Sequence, residues 1–146
     1  MIEQKVVVMG LGYIGLPTAA LIASKGFTVR GVDIDQTIVD VVNAGKIHIV
    51  EPDLDQLVKN EVKRGSLKAN IKPAESDIFI ITVPTPFKDN NEPDLKYVNS
   101  AISMIIPFLQ KGNLIIIEST SPVGTTMKVS EDIFRQRPEL LDHIHI

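Results

Sequence analysis

The chain has 146 residues, 44% hydrophobic and 23% charged, with a formal net charge of −3 and no cysteine. That length suits one domain with a real core, and the lack of cysteine excludes disulfides, thiolate metal sites and a cysteine nucleophile within these residues. A negative balance without a long basic block argues against a nucleic-acid partner, no apolar run reaches membrane-spanning length, and a first strand starting close to Met1 leaves no room for a leader, so the cytoplasm is the expected compartment.

Strands and helices alternate along the chain. Lys5 to Met9 reads as a strand, followed by a helix with a small apolar face from Tyr13 to Ser24, with Pro17 near its first turn and Gly26 closing it. A second strand is expected over Thr28–Val32. Helices follow over Ile34–Ala44 and Asp53–Lys63, then a short strand over Leu67–Ile71. Asp77 to Val83, DIFIITV, is apolar enough to be a central strand buried on both faces. A long helix is expected over Asp94–Leu109, a buried strand over Leu114–Glu118 and an amphipathic helix over Thr125–Arg137. This order predicts an α/β fold: a Rossmann-like, doubly wound parallel sheet with helices on both faces.

The residues between the first strand and first helix carry the chemistry. VVVMGLGYIG places Gly10, Gly12 and Gly15 directly after a β-branched run. Gly10 permits the tight turn off the strand, Gly12 lets the backbone approach a pyrophosphate, and Gly15 lets the helix pack against the strand. A left-handed backbone is a further expectation at Gly12. The helix N-terminus offers unpaired N–H groups and the positive end of its dipole to phosphates. About 20 residues on, the second strand ends at Asp33, where a ribose-binding carboxylate belongs. Asp33 and Asp35 would repel a 2′-phosphate and no Arg immediately follows, so NAD is expected over NADP; Asp35 rather than Asp33 is the expected helix cap.

Ligands of such sheets bind beyond the carboxyl ends of the strands. That rule selects Gly10 to Gly15, Asp33 to Asp35, Val83 to Pro86 and Ser119 to Gly124. Pro84 and Pro86 take the backbone out of the sheet at a set angle. Thr85 between them either holds a ribose or the pyrophosphate, or belongs to a loop that merely closes the strand. Ser119 and Thr120 are candidates to face the nicotinamide, and Thr125 and Thr126 either cap the last helix or bind phosphate at its start. His48 is a loop residue or a contact for cofactor or a partner domain. His143 and His145, at spacing two, share a strand face, and without a third ligand no metal site is expected.

Taken together, GLGYIGLPTAA (Gly10 to Ala20), GVDID (Gly31 to Asp35), GKIHIVEPDL (Gly45 to Leu54), VPTPFK (Val83 to Lys88), EPD (Glu92 to Asp94) and ESTSPVGTT (Glu118 to Thr126) resemble the nucleotide-sugar dehydrogenases, the UDP-glucose and GDP-mannose dehydrogenase family. Within it the resemblance is to the bacterial branch acting on UDP-N-acetyl-D-mannosamine. The first two stretches occur in many NAD proteins, IHIVEPDL and VPTPFK in far fewer. The resemblance implies a two-step oxidation of a UDP-sugar C6 hydroxyl to a carboxylate, with two NAD reduced, supplying surface polysaccharide. It implies cofactor contacts at Tyr13, Ile14, Asp33, Thr85 and Thr126, and places Thr120 beside the nicotinamide and a catalytic water. The family's catalytic cysteine, Lys and Asn, its long central helix and its UDP-sugar domain, which supplies a homodimer or larger assembly, have no counterpart in residues 1–146. These residues are therefore expected to be one NAD-binding domain, inactive alone. The alternatives are another UDP-sugar dehydrogenase, a stand-alone NAD-binding module, and a β-hydroxyacid-type dehydrogenase, which expects a Gly-rich segment where Pro122 stands.

Overall fold

The computed structural model describes residues 4–146. Its strands are β1 (Lys5–Met9), β2 (Thr28–Val32), β3 (Leu67–Asn70), β4 (Ile78–Ile81) and β5 (Leu114–Ile117). They form one sheet in the order β3-β2-β1-β4-β5, every pairing parallel. The helices are α1 (Gly15–Ser24), α2 (Gln36–Asn43), α3 (Leu54–Arg64), α4 (Lys96–Ile105) and α5 (Thr125–Gln136). No helix among the described residues is long and apolar enough to cross a membrane.

The period-two alternation of a strand sorts its side chains onto two cores. Val6 and Val8 of β1, with Ile80 of β4, face a core filled from α1, α2 and α3 by residues such as Leu16, Ala20, Val42 and Val58. Val7 and Met9, with Phe79 and Ile81, face a second core filled from α4 and α5 by Val98, Ile102, Ile105, Val129 and Ile133. Strands covered on both faces are apolar throughout, which is why VVVM and IFII carry no polar side chain.

Several boundaries differ from the sequence expectation for identifiable reasons. The helix expected over Asp94–Leu109 starts later, because Asp94 Oδ1 accepts from the Lys96 N–H at 3.0 Å. It stops at Ile105 and tightens into a 3₁₀ turn over Ile106–Phe108, since Pro107 has no N–H to give the Ser103 carbonyl. The first helix begins at Gly15, not Tyr13, and the strand expected over Asp77–Val83 is paired as Ile78–Ile81. Neither Thr125 nor Thr126 caps α5: the cap position is Gly124, at φ 91°, and the Thr125 hydroxyl donates to the Pro122 carbonyl at 2.8 Å. Asp35 does cap α2, accepting from the Thr37 N–H at 2.8 Å.

The last residues add to the sheet. His145 bridges Leu114 in parallel, Ile115 N–H donates to the His145 carbonyl at 2.8 Å, and His145 N–H to the Asn113 carbonyl at 2.9 Å. His143 and His145 are exposed while Ile144 between them is buried, as spacing two requires.

Candidate dinucleotide-binding cleft

Chain order runs outward from β1 to β3 on one side and from β4 to β5 on the other. The reversal between β1 and β4 leaves a crevice at their carboxyl ends. A cleft of about 730 Å³ opens there, within the range of small-molecule and cofactor sites. It joins the glycine turn, the end of β2 with Ile34, the loop after β4, one side of α4 and the residues after β5.

Each glycine of the turn has a separate geometry. Gly10 sits at φ 97° and its N–H donates to the Val32 carbonyl at 2.7 Å, folding the chain sharply off β1. A Cβ on Gly15 would lie 1.7 Å from the Gly10 carbonyl oxygen and 2.5 Å from Thr82 Oγ1, so only glycine allows α1 this close to the turn. Gly15 is buried and does not line the cleft. Gly12 differs from expectation: its backbone is not left-handed, and a Cβ there would meet nothing within 4 Å. Its lack of a side chain serves the open space above it, not a strained turn.

That space meets the start of α1. Ile14 at the cap position makes no side-chain cap, and no acid stands in the first turn. Leu16 N–H donates to the Gly12 carbonyl and Thr18 N–H to the Ile14 carbonyl, each at 3.1 Å, and Pro17 has no N–H, which leaves the N–H groups of Tyr13, Ile14 and Gly15 at the turn into the helix for an anion. Asp33 closes the other end of the cleft. Its Oδ2 accepts from the Leu11 N–H and its Oδ1 from the Asp35 N–H, each at 3.0 Å. Two backbone donors thus fix the carboxylate, and each oxygen keeps a lone pair for a ligand hydroxyl. The charged residues lining the cleft are Asp33 and Glu118, with no Lys or Arg to receive a 2′-phosphate. Tyr13, Ile14 and Ile34 leave apolar side chains more than half exposed at its rim, surface that a bound ligand would cover.

Of the sequence candidates, Gly10, Gly12, Tyr13, Ile14, Asp33, Thr85 and Thr120 line this one cleft. Ser119 lines it as well, but its hydroxyl donates to the Val83 carbonyl at 2.7 Å and so ties two loops together. Thr126 stands apart, in a separate depression between α5 and the C-terminal residues. His48 is exposed and lies outside both. The PTPFK segment is more than a loop: Phe87 and Pro93 bridge as an antiparallel pair, with Lys88 N–H donating to Glu92 and Asp94 N–H to Pro86 at 2.7 Å each. This small hairpin rises beside Pro84 and Thr85.

Sequence reasoning missed the α4 wall, made by Tyr97, Ser100, Ala101 and Met104. Their numbers carry the signal, since the spacing of three, one and three marks a helical stripe beside the core-facing one, sharing Ala101 with it. It also missed Thr82, whose hydroxyl reads in sequence as one β-branched residue in an apolar strand.

The UDP-glucose/GDP-mannose dehydrogenase family, NAD binding domain, matches residues 4–146. The chain is 58% identical over 138 residues to a UDP-N-acetyl-D-mannosamine dehydrogenase of Campylobacter jejuni, covering 94% of this chain and 34% of that protein. It is 54% identical to an NDP-N-acetyl-D-galactosaminuronic acid dehydrogenase of Ralstonia nicotianae, covering 91% of this chain and 31% of the relative. Among solved structures, the UDP-N-acetyl-mannosamine dehydrogenase Cap5O from Staphylococcus aureus superposes with a TM-score of 0.88 at 41% identity, over 92% of this chain and 33% of that one. The chain spans about a third of the length of the curated relatives it matches. Glycine turn, anchored Asp33, strand order and these matches agree, and the chain belongs to the UDP-glucose/GDP-mannose dehydrogenase family as its NAD binding domain.

Proposed function

We propose that this chain is the NAD-holding domain of a UDP-N-acetyl-D-mannosamine 6-dehydrogenase. The proposed overall reaction takes the sugar C6 hydroxyl to a carboxylate, consuming one water and transferring two hydrides to two NAD. The observation that carries the cofactor side is Asp33: a carboxylate anchored by two backbone N–H groups at the end of a cleft without a cation. The names of the similar proteins support the sugar.

NAD, when bound, supplies the hydride-accepting ring. The chain's own residues do the holding. Gly10 shapes the turn, Gly12 leaves room for the pyrophosphate, and the α1 N-terminus behind Tyr13 and Ile14 offers N–H donors. Asp33 accepts from the ribose hydroxyls, Thr85 offers a hydroxyl along the cleft, and Thr120 stands at the β5 side where the resemblance puts the nicotinamide. Gly15 acts by packing. The resemblance also assigns Thr126 to the cofactor. In the complete protein, a UDP-sugar pocket, an assembly of two or more copies and a cytoplasmic setting complete the reading, with no nucleic acid, membrane or metal involved.

Calorimetric titration of this chain with NAD and NADP tests the cofactor side: NAD should bind, and more tightly; equal or tighter NADP binding would overturn the role of Asp33. The Ralstonia relative's printed name supports a second reading, an N-acetylgalactosamine-type sugar. NADH formation by the complete polypeptide, offered UDP-N-acetylmannosamine, UDP-N-acetylgalactosamine and UDP-glucose in turn, separates the readings.

A further inference from the structure

Thr82 stands just past the end of β4, 7% exposed, inside an apolar strand neighbourhood where its hydroxyl needs partners. Its Oγ1 is 2.9 Å from the Met9 carbonyl oxygen and 2.9 Å from the Gly10 carbonyl oxygen. One hydroxyl proton cannot serve both fully. The Met9 carbonyl already receives the Thr82 backbone N–H at 2.9 Å, so the distinct contribution of the side chain is to Gly10. That carbonyl belongs to the Gly10–Leu11 peptide. The N–H of the same peptide, on Leu11, donates to Asp33 Oδ2 at 3.0 Å. A peptide unit is planar, so its C=O and N–H turn together. The hydroxyl of Thr82 and the carboxylate of Asp33 therefore grip one rigid plane from opposite sides. Gly10, at φ 97° and without a Cβ, resists rotation of that plane less than other residues would.

We infer that Thr82 is a positioning residue for cofactor choice: through the Gly10–Leu11 peptide it holds the Asp33 carboxylate in the orientation that accepts two ribose hydroxyls and repels a 2′-phosphate. The inference rests on the reading of Asp33 as the ribose-binding group. It separates Thr82 from a residue that merely stiffens the sheet, because the loss should fall on the ligand that Asp33 discriminates and on no other.

The test is calorimetric titration of this chain with NAD and with NADP, in the wild type, Thr82→Val, Thr82→Ser, Asp33→Ala and the Thr82→Val/Asp33→Ala double variant. Thr82→Val should weaken NAD binding about tenfold, the factor that one lost buried hydrogen bond carries. NADP binding should change by less than about twofold, the scatter of uncoupled sites, so the preference falls by nearly the same factor. Thr82→Ser keeps the hydroxyl and should restore both affinities. In the Asp33→Ala background, Thr82→Val should have little further effect. Equal loss for NAD and NADP, an unchanged effect in the Asp33→Ala background, or failure of Thr82→Ser to rescue would each overturn the inference. Should the valine variant not fold by circular dichroism, Thr82→Ala removes the same hydroxyl and is judged by the same outcomes. A wild type with no preference for NAD would instead overturn the reading of Asp33 itself.

Discussion

Gly12 and Asp33 line the same cleft, and on the proposed reading substitutions at the two should leave different signatures. Gly12→Val adds a side chain where a Cβ would meet nothing within 4 Å and where φ is not left-handed. Folding stability should therefore change by no more than about 1 kcal/mol, while the pyrophosphate's approach is blocked. Thermal melts with and without NAD check this: the wild type should gain stability from NAD and the variant should not. Asp33→Asn removes the charge while keeping the shape, and replaces charge-assisted bonds to hydroxyls worth roughly 1.5–3 kcal/mol. NAD affinity should fall by about tenfold or more, with NADP less affected; titration with both cofactors reads the ratio. These two residues were legible in the sequence as cleft residues because each is marked by a property of its own: the missing Cβ, or a charge at the end of a strand. Thr82 was not, because the carbonyls its hydroxyl bonds lie more than 70 residues away along the chain. The sequence also suggested a left-handed Gly12; the observed backbone assigns that conformation to Gly10 and leaves Gly12 a matter of space.

At the scale of elements, the ends of α4 and α5 depend on each other. After α4 the chain tightens into the 3₁₀ turn over Ile106–Phe108, closed by Leu109 N–H donating to the Ile106 carbonyl at 3.3 Å. Arg137, just past α5, donates from Nη1 to the Ile106 carbonyl at 2.8 Å and from Nη2 to the Leu109 carbonyl at 3.2 Å. Arg137→Ala should cost about 1–2 kcal/mol, or roughly 3–6 °C in melting temperature for a chain of this size, with NAD affinity unchanged because neither Arg137 nor the carbonyls it holds line the cleft. Differential scanning calorimetry and a cofactor titration read both. Arg137 also pairs with Glu139 through Nε at 2.5 Å, and this hydrogen bond holds the Glu139 carboxyl below the usual range. A lowered carboxyl stabilises the fold above its unfolded value and loses that contribution as pH falls through the folded one. Glu139 is exposed to solvent, so melting should be insensitive to its titration. The pairing was unreadable in sequence, where Arg137 looked like the last residue of an amphipathic helix. Asp35 was readable, because an Asx residue ahead of an apolar period caps by itself; Asp35→Ala should cost about 1 kcal/mol by the same calorimetry.

The whole molecule is a parallel sheet covered on both faces, as the alternation of elements predicts, and the structure adds its strand order, β3-β2-β1-β4-β5. Less local pairing was hidden. Neither the bridge from His145 to Leu114 nor the hairpin joining Phe87 to Pro93 shows in the composition of HIHI or PTPFK, because a short strand acquires its character from the partner it meets. The cleft that results borders solvent along one side, with Tyr13, Ile14 and Ile34 exposed at its rim. This bears on what the chain does by itself. Dehydrogenation needs the substrate carbon held against the cofactor ring, and orientation of two reactants supplies roughly 7–11 kcal/mol of barrier reduction. Among the cleft's lining residues, the side chains on the β5 side are Glu118, Ser119 and Thr120, and Ser119 is engaged with Val83. That set offers no cation for a sugar diphosphate. The 146 residues contain no cysteine, so the covalent route that the family resemblance implies for the second oxidation has no nucleophile here. The chain alone should therefore bind NAD yet form no NADH from UDP-N-acetylmannosamine. Absorbance at the NADH band, followed for hours with excess sugar nucleotide beside a complete dehydrogenase of the family, gives the answer: a flat trace is expected, and a sustained signal proportional to the amount of this chain would place the catalytic groups within it and overturn its reading as a cofactor-holding domain.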